Sequence, residues 1–471
     1  MSNVIAFPSA VNSNSSGMES SFHALVGVVH EMVAGMGPEG PVDLDALEDQ
    51  IDGAVKEVAL AAKAVVLRAA EPAAVEVEVN GKRYRRMSSL SRGVYRTVHG
   101  PVELDRHLYR QLGVHNGPTL DPIAARCGLV EGRFTPKAAR IAAFLAQAVP
   151  SREAADICGM AGVLPYSRTT LFRVGQAIGE CWEAHSDEIE DELVSAFEIP
   201  EEARTVSMAI DRVSMPMAED REPTARDRDK GIKRPIDVNY RMAYCAVWTL
   251  HDAEGEPMHS VRYAHIPEDG SLTIDAQLAC DLEVLLDARP SLRLVTLADG
   301  AHEMQKMLDR VVPRGREVTQ LVDFWHLVEK LAAAAKAVQG TPGPLWHAWK
   351  HRLLQDDAAV ESIEATLKSW ASRYGDEVPE PLHAALTYID NQRERLRYAT
   401  ARRAGLPIAS GSVEATCKTI VTVRFKRTGA RWRPAGAQAL LGLRALATSS
   451  RWTAAVRALV SRLPRDVKVA A

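Results

Sequence analysis

Closely spaced cysteine pairs are missing from this sequence. Its six cysteines lie at least 23 positions apart, at Cys127, Cys158, Cys181, Cys245, Cys280 and Cys417. The Cys-x-x-Cys pattern of a zinc ribbon or a redox dithiol therefore does not occur. We interpret the six residues as reduced, mostly buried thiols of a cytoplasmic protein.

Long apolar runs are missing as well. No uninterrupted apolar stretch approaches the roughly 20 residues of a membrane-spanning helix. The first 21 residues contain neither a basic n-region nor a long apolar core, so we do not interpret them as a signal peptide. We therefore expect no membrane association.

Charge is distributed unevenly along the 471 residues. From Ala401 onward there are 14 Lys and Arg residues against two acids, a net charge of +12 within a chain whose total is -4. The remainder of the chain accordingly carries -16. A basic C-terminal region is typical of a surface that faces nucleic acid, although it also fits an acidic protein partner.

The chain length predicts two to four domains, and the N-terminal third changes its periodicity twice. We interpret residues 1–20 as a disordered tail, 21–70 as N-terminal helices and 71–118 as a β-ribbon turning at Asn80-Gly81. The helical arms are expected to pack on another surface, such as a second copy of the chain. Basic residues on the ribbon fit either DNA backbone contacts or solvated charges; they are Lys82, Arg83, Arg85 and Arg86.

Residues 119–200 form a helical region with the pattern of a helix-turn-helix. Ser151 is the expected cap of the first helix, and Ser167 caps a second helix led by Arg168 and Arg173. Between them lies a break rich in glycine and proline. Since most short helix pairs read no DNA, the alternative is a purely structural pair.

Residues 201–328 show the order β-β-β-α-β-α-β, which predicts the first part of a ribonuclease-H-like core. An all-α insertion is expected at 329–407, and residues 408–471 complete the core with basic C-terminal helices. The predicted fold is therefore multidomain α/β, preceded by the helical, β-ribbon and helix-turn-helix region. The insertion's large aromatic residues are interpreted as core; they are Trp346, Trp349, Trp370 and Tyr388.

Three carboxylates occupy related positions in this pattern. Asp211 ends the first core strand, Asp299 ends the fourth, and Glu414 opens a helix after a Ser-Gly-Ser turn. The first and fourth strands of such a core are adjacent and parallel, so the three carboxylates are expected to meet as an oxygen site for two Mg²⁺ or Mn²⁺ ions. The alternative for Glu414 is a helix-dipole partner behind a cap at Ser412.

The stretch after Glu414 is strongly basic and is the expected DNA-binding surface. Its candidate phosphate ligands are Lys418, Arg424, Lys426, Arg427, Arg431 and Arg433. Trp432 is expected to be available for stacking on a base. A solvated helix face is the alternative.

The chain resembles the DDE transposases of bacterial insertion sequences, of the ISKra type related to Mutator-like elements. The resemblance rests on MAIDRVSM around Asp211, LADGAHEM around Asp299, and SGSVEATCK, RFKRTGARW and GAQALLGLRAL around and after Glu414. It covers about residues 150–451. It implies that Asp211, Asp299 and Glu414 are the catalytic triad of metal-dependent cleavage and joining of DNA at terminal inverted repeats. It also implies a nucleoid-associated protein acting as a homo-oligomer.

A fourth matching segment, DFWH, contains Asp323 and His326. The resemblance implies that His326 lies near the scissile phosphate, while a satisfied core histidine is the alternative reading; the role of Asp323 is open in the same way. The paired cysteines that related proteins often carry in the ribbon region are missing here, which argues against a structural zinc. The other functions considered are a stand-alone metal-dependent nuclease and a non-catalytic DNA-binding protein derived from a transposase.

Overall fold

The computed structural model describes residues 16–37, 39–266 and 272–470. It is a mixed α/β protein with two open five-stranded sheets, and about half of it is helical. The disordered tail expected at 1–20 lies largely outside the described residues, but the segment from Ser16 is helical. Within the described residues, no helix has both the length and the apolar character that crossing a membrane requires.

Among the described residues before 200 there are helices and four strands. In chain order they are α1 (Ser16–Gly35), α2 (Leu44–Ala69), β1 (Glu76–Val79), β2 (Lys82–Thr97), β3 (Gly100–Gln111), β4 (Thr119–Leu120), α3 (Pro122–Arg126), α4 (Pro136–Ala148), α5 (Ser151–Met160), α6 (Arg168–Glu183) and α7 (Ser186–Ser195).

The middle of the chain alternates strands and helices. Its elements are β5 (Thr205–Asp220), α8 (Ala225–Asp229), β6 (Ile236–His251), β7 (Pro257–His265), α9 (Leu272–Ala288), β8 (Arg293–Ala298), α10 (His302–Val311) and β9 (Val318–Val322). This order confirms the predicted β-β-β-α-β-α-β pattern, apart from the short α8 in a loop.

The rest of the chain is almost entirely helical. Its elements are α11 (Phe324–Gln339), α12 (Gly343–Leu353), α13 (Ala359–Ala371), α14 (Glu380–Gln392), α15 (Tyr398–Arg403), α16 (Gly411–Thr416), a π-helical turn (Cys417–Thr422), α17 (Val423–Phe425), α18 (Pro434–Thr448), α19 (Trp452–Ser461) and the short strand β10 (Val467–Val469).

The chain divides into two compact units, one formed by Met1–Cys181 with Val456–Ala471 and the other by Trp182–Ala455. In the first unit the sheet has the order β10-β1-β2-β3-β4, and all its pairings are antiparallel. Asn80 and Gly81 have φ values of 52° and 73°, as a tight hairpin turn between β1 and β2 requires. The predicted hairpin is thus confirmed, and β10 joins its edge from the far end of the chain.

The sheet of the second unit has the order β7-β6-β5-β8-β9. β5, β6 and β7 are antiparallel neighbours, whereas β8 and β9 run parallel to β5. One face of this sheet is covered by the apolar side of α9 and α10, including Leu278, Leu282 and Met304. On β5, Met208 and Ile210 face these helices, so Ala209 and Asp211 point to the opposite face.

The prediction that the first core strand ends at Asp211 is wrong. β5 continues to Asp220 and pairs with β6 along its whole length, from Thr205–His251 to Asp220–Ile236. Only the parallel pairing with β8 stops early, at Ala209–Leu297. Asp211 therefore lies just beyond the point where β5 loses its parallel neighbour.

The helices α11 to α15 have a hydrophobic core of their own. Trp349, Trp370 and Tyr388 are buried in it and Trp346 packs at its edge, which confirms their prediction as core residues. The predicted all-α region is also confirmed, although its first helix begins earlier, at Phe324.

Candidate active site

Three aspartates lie at one edge of the second sheet. Asp211 and Asp299 each follow the last parallel pair, Ala209–Leu297, by two residues. Asp323 directly follows β9, and its backbone N–H donates to the carbonyl of Ala298 at 2.8 Å. Because the carboxyl ends of parallel strands meet at the same edge, the register brings all three residues together.

Asp211 is half-buried beneath the start of the C-terminal helices. Its Oδ1 accepts from the backbone N–H of Arg212 at 2.7 Å, and its Oδ2 lies 3.6 Å from Sγ of Cys417. Burial raises the pKa of the Asp211 carboxyl, and the negative charge of Asp299 adds to the rise. A nearby cation would favour the ionised form of a carboxyl group whose pKa is raised in this way.

The turn that carries Asp299 is held by the helical insertion. Oδ1 of Asp299 accepts from the N–H of Ala301 at 2.8 Å, while its backbone carbonyl accepts from the Tyr388 hydroxyl at 2.9 Å. The carbonyl of Gly300 accepts from the Gln392 side chain at 3.0 Å. Gly300 has a φ of +93°, and a Cβ there would lie 2.6 Å from the Tyr388 ring, so only glycine fits this turn.

Glu414 lies in the first turn of α16, with its side chain exposed. The helix begins at Gly411, and the cap position is Ser410, whose side chain makes no capping bond to the helix. The expectation that Ser412 caps this helix is therefore wrong, because Ser412 already lies inside its first turn. Burial of the carboxyl group and the charge of Asp323 raise the pKa of Glu414.

Ligand atoms of Asp323, His326 and Glu414 all lie within 4.8 Å of one another. Among the described residues this is the only group of three or more such side chains that meets this distance. The predicted set of Asp211, Asp299 and Glu414 does not meet it. Asp211 and Asp299 each accept from a nearby backbone N–H, at Arg212 within β5 and at Ala301 in the turn after β8.

Asp323 differs from the other carboxylates because both of its oxygens are already used inside the fold. It is 1% exposed, its Oδ1 caps α11 by accepting from the His326 N–H at 2.8 Å, and its Oδ2 accepts from the N–H and the hydroxyl of Ser410. This residue thus ties the helix of His326 to the turn before Glu414. We interpret it as a positioning residue, in preference to a metal ligand.

The side chain of His326 lies in the first turn of α11, half-exposed beside Glu414. It is also close enough to Asp211 for an imidazolium charge to favour the ionised form of that carboxyl group. The geometry therefore favours a site residue over the core histidine that was the alternative reading.

The basic stretch divides into exposed and buried residues. Lys418, Lys426, Arg427, Arg431 and Arg433 are exposed. Two of them contact β5 or its end: Nζ of Lys426 lies 3.2 Å from the Ser214 hydroxyl, and Arg433 forms an ion pair with Asp220 at 2.9 Å.

Arg424 and Trp432 are corrections to the predicted DNA surface. Arg424 is only 4% exposed and its guanidinium lies over the Trp432 ring, 5.0 Å from the centroid. Trp432 is 8% exposed, its indole N–H donates to the Phe425 carbonyl at 3.0 Å, and its backbone bonds to Pro216 and Ala218 of β5. The ring is part of the core, so it is not available to stack on a base.

The candidate helix-turn-helix consists of α5 and α6. Ser167 accepts from the Thr170 N–H at 3.3 Å, as expected of a cap, but α5 begins at Ser151 itself and has Pro150 at its cap position. Arg168 and Arg173 are both exposed, and Arg173 forms an ion pair with Glu131 at 3.1 Å. These placements are compatible with either alternative, a groove-reading pair or a structural one.

Sequence reasoning missed several residues around the carboxylates. Cys245 is paired with Asp211 across β5 and β6 and lies against Cys417, so two buried thiols line the inner side of this site. Tyr388 and Gln392 were missed as supports of the Asp299 turn.

No protein-family model matches the chain, and no curated protein matches it.

Proposed function

We propose that the protein is a DNA transposase that cleaves and joins strands by metal-dependent phosphoryl transfer. The observation that carries the proposal is the convergence of carboxylates from three distant stretches of the chain. Asp211 and Asp299 lie at one sheet edge by register. The charge of His326 acts on both Asp211 and Glu414, and the charge of Asp211 acts on Glu414. Exposed basic residues follow Glu414 directly.

The strand order supports a ribonuclease-H-like fold for this part of the chain. Three antiparallel strands lead into two parallel ones, with the first strand at the centre of the sheet. In such a fold the ends of the first and fourth strands are neighbours, which is the relation between Asp211 and Asp299. The helical insertion then returns the chain to the same edge at Glu414.

The donor set suits a hard divalent cation. Asp211, Asp299 and Glu414 offer carboxylate oxygens, the ligands that Mg²⁺ and Mn²⁺ prefer. Burial and like charge raise the pKa of Asp211 and of Glu414, and a bound cation would offset this cost of ionising the two carboxyl groups. When bound, two such ions supply activation of an attacking hydroxyl and stabilisation of the leaving oxygen.

The residues of the chain itself supply position and charge. Lys418 is exposed within the π-helical turn and Lys426 is exposed just after α17, where they can hold DNA phosphates near the carboxylates. Asp323 fixes the separation of His326 and Glu414. The proposed DNA ligand is a pair of terminal inverted repeats, with Arg168 and Arg173 on α6 as the candidate sequence-reading residues.

The deciding experiment is cleavage and strand joining of a duplex that carries the element's terminal repeats, with Mg²⁺ or Mn²⁺. Asp211→Asn and Glu414→Gln should each abolish both reactions while leaving DNA binding intact. Glu361→Gln is a matched control, because Glu361 also lies in the first turn of a helix but belongs to the insertion. Equal activity of Glu414→Gln and the control would refute the proposed triad.

Two other functions make different predictions in the same assay. Cleavage without joining would indicate a stand-alone nuclease. Binding of DNA without cleavage, in both metals and with unaltered carboxylates, would indicate a non-catalytic DNA-binding protein. An intact set of clustered carboxylates disfavours the second, because negative charge next to a phosphate backbone weakens binding unless a cation is held between them.

A further inference from the structure

Four basic side chains converge at the turn between β2 and β3 in the first unit. His99 lies in this turn, Lys56 and Lys63 lie on α2, and Lys137 lies in the first turn of α4. Nζ of Lys63 is hydrogen-bonded to Nδ1 of His99. Burial lowers the pKa of both groups, the charge of Lys137 lowers both further, and Lys56 also acts on His99. We call these four residues the cationic cluster.

Helix α2 presents its two lysines on the side that packs on the hairpin. Lys56 and Lys63 are seven residues apart, which is about two helical turns, so they share a face with Leu60. Leu60 packs at the edge of the core around β2 and β3, and a Cβ on Gly100 would lie 3.9 Å from its side chain. Both lysines are accordingly half-buried beside the turn.

The turn and the start of α4 are held by short-range bonds. The Thr97 hydroxyl accepts from the His99 N–H at 3.3 Å and donates to the Gly100 carbonyl at 3.0 Å. The N–H of Thr135, the residue before α4, donates to the carbonyl of Arg96 in β2 at 3.0 Å. His99 and Lys137 therefore belong to elements that are fixed to each other before any ligand binds.

The cationic cluster lacks a counter-charge. In the part of the chain that the structure describes, no carboxylate forms an ion pair with its three lysines, and no acidic group is among the charges that act on Lys63 or His99. The arginines of the ribbon differ, because Arg83 and Arg85 share the carboxylate of Glu76. Like charges held together in this way are stabilised by a bound anion.

We propose that the cationic cluster binds a phosphate group through the ammonium groups of Lys56, Lys63 and Lys137 and the imidazole of His99. With Nδ1 accepting from Lys63, the neutral imidazole carries its proton on Nε2, which is then a donor. The positive end of α4 adds to the attraction, since its cap residue Thr135 makes no side-chain bond to the helix.

Phosphate fits this set better than a carboxylate, because it brings more negative charge and more acceptor oxygens to several donors. The phosphate can belong to a DNA backbone or to a small phosphorylated molecule, and the two sources are separated by the tests below. The site lies in the first unit, apart from the candidate carboxylates, and does not depend on the proposed catalysis.

The first test follows the imidazole signal of His99 by proton NMR of the full chain, identified by its loss in His99→Gln. Inorganic phosphate is added while chloride keeps the ionic strength constant. We expect phosphate to raise the pKa of His99, because it supplies the negative charge that the cluster lacks. Lys137→Gln should reduce this rise, and the exposed position of Lys137 predicts an unchanged circular dichroism spectrum. Lys468→Gln is the matched control, since this lysine of the same unit already pairs with Asp466 at 3.5 Å.

The second test uses a random-sequence DNA duplex, with the same NMR signal and with fluorescence anisotropy at several salt concentrations. If the phosphate belongs to DNA, Lys56→Gln combined with Lys137→Gln should reduce the slope of log K against log salt concentration by about 1 for each lost contact. A response to inorganic phosphate with an unchanged slope would identify a small phosphorylated ligand. If neither inorganic phosphate nor DNA raises the pKa of His99, the inference is overturned. Asp211→Asn should keep every response, which separates this site from the catalytic proposal.

Discussion

Replacing Asp323 by asparagine tests how the candidate site is held together. The carboxylate accepts from the His326 N–H through one oxygen and from the N–H and hydroxyl of Ser410 through the other. An asparagine keeps a single oxygen. Whichever way its amide is turned, an NH₂ group then faces either the N–H of His326 or that of Ser410, in a position that is 1% exposed.

The magnitude follows from these contacts. A buried donor left without an acceptor costs about 1–3 kcal/mol, and loss of a charge-assisted acceptor adds about 1 kcal/mol more. We therefore expect Asp323→Asn to lower the free energy of unfolding by about 2–4 kcal/mol. Because the same bonds fix the helix of His326 against the turn before Glu414, strand cleavage should fall by about 100-fold, the effect of a displacement of about 1 Å at a reacting centre.

Asp357→Asn is the control for this experiment. Asp357 likewise accepts from two backbone N–H groups and a hydroxyl, at Ala399 and Thr400, but it lies within the insertion. Urea unfolding followed by tryptophan fluorescence should show a loss of stability in both variants, whereas cleavage should fall only in Asp323→Asn. Equal activity losses in the two variants, or unchanged stability of Asp323→Asn, would refute the positioning role.

Three further changes test other parts of the structure. Tyr388→Phe should reduce cleavage about 5-fold, because loss of its hydrogen bond to the Asp299 turn costs about 1 kcal/mol. Tyr398→Phe should have no effect, because the buried Tyr398 hydroxyl has no hydrogen-bond partner among the residues that the structure describes. Burial raises the pKa of Glu190 from 4.5 to about 7, so the free energy of unfolding should fall as the pH rises through that interval. Glu190→Gln should remove this pH dependence, a total change on the order of 3 kcal/mol, in urea titrations at each pH. Lys418→Glu combined with Lys426→Glu should weaken DNA binding in a filter-binding titration. The slope of log K against log salt concentration should decrease in magnitude by about 1 for each lost phosphate contact. An unchanged slope would mean that these two residues do not contact DNA.

The central sheet could be predicted because its signal is local. The first six residues of β5, the second half of β6 and nearly all of β8 are mostly apolar and buried, and such runs bounded by turns indicate strands whatever they pack against. The position of Asp299 followed from the end of β8. Asp211 lies at the predicted sheet edge, but for a different reason than expected. β5 itself continues to Asp220, and only its pairing with β8 ends before Asp211.

The features that escaped prediction depend on contacts between distant residues. β10 has three residues and no pattern of its own, and it is a strand only because β1 offers it an edge. Arg424 and Trp432 belong to a basic run that suggests exposure, yet Trp432 pairs with the extension of β5, more than 200 residues earlier, and Arg424 stacks on its ring. The sequence of a basic stretch does not reveal which of its residues will be buried against a distant strand.

The helical insertion is part of the scaffold of the site and not an appendage to it. Carboxylates brought together without a cation repel one another, so the backbone that carries them must be fixed by other contacts. Tyr388 and Gln392 of the insertion hold the turn of Asp299 and Gly300 from one side. Asp323, at the point where the insertion begins, bonds to Ser410, where it ends. Both ends of the insertion are thus joined by one buried carboxylate, and its helices contact the candidate site at the turn of Asp299 and Gly300.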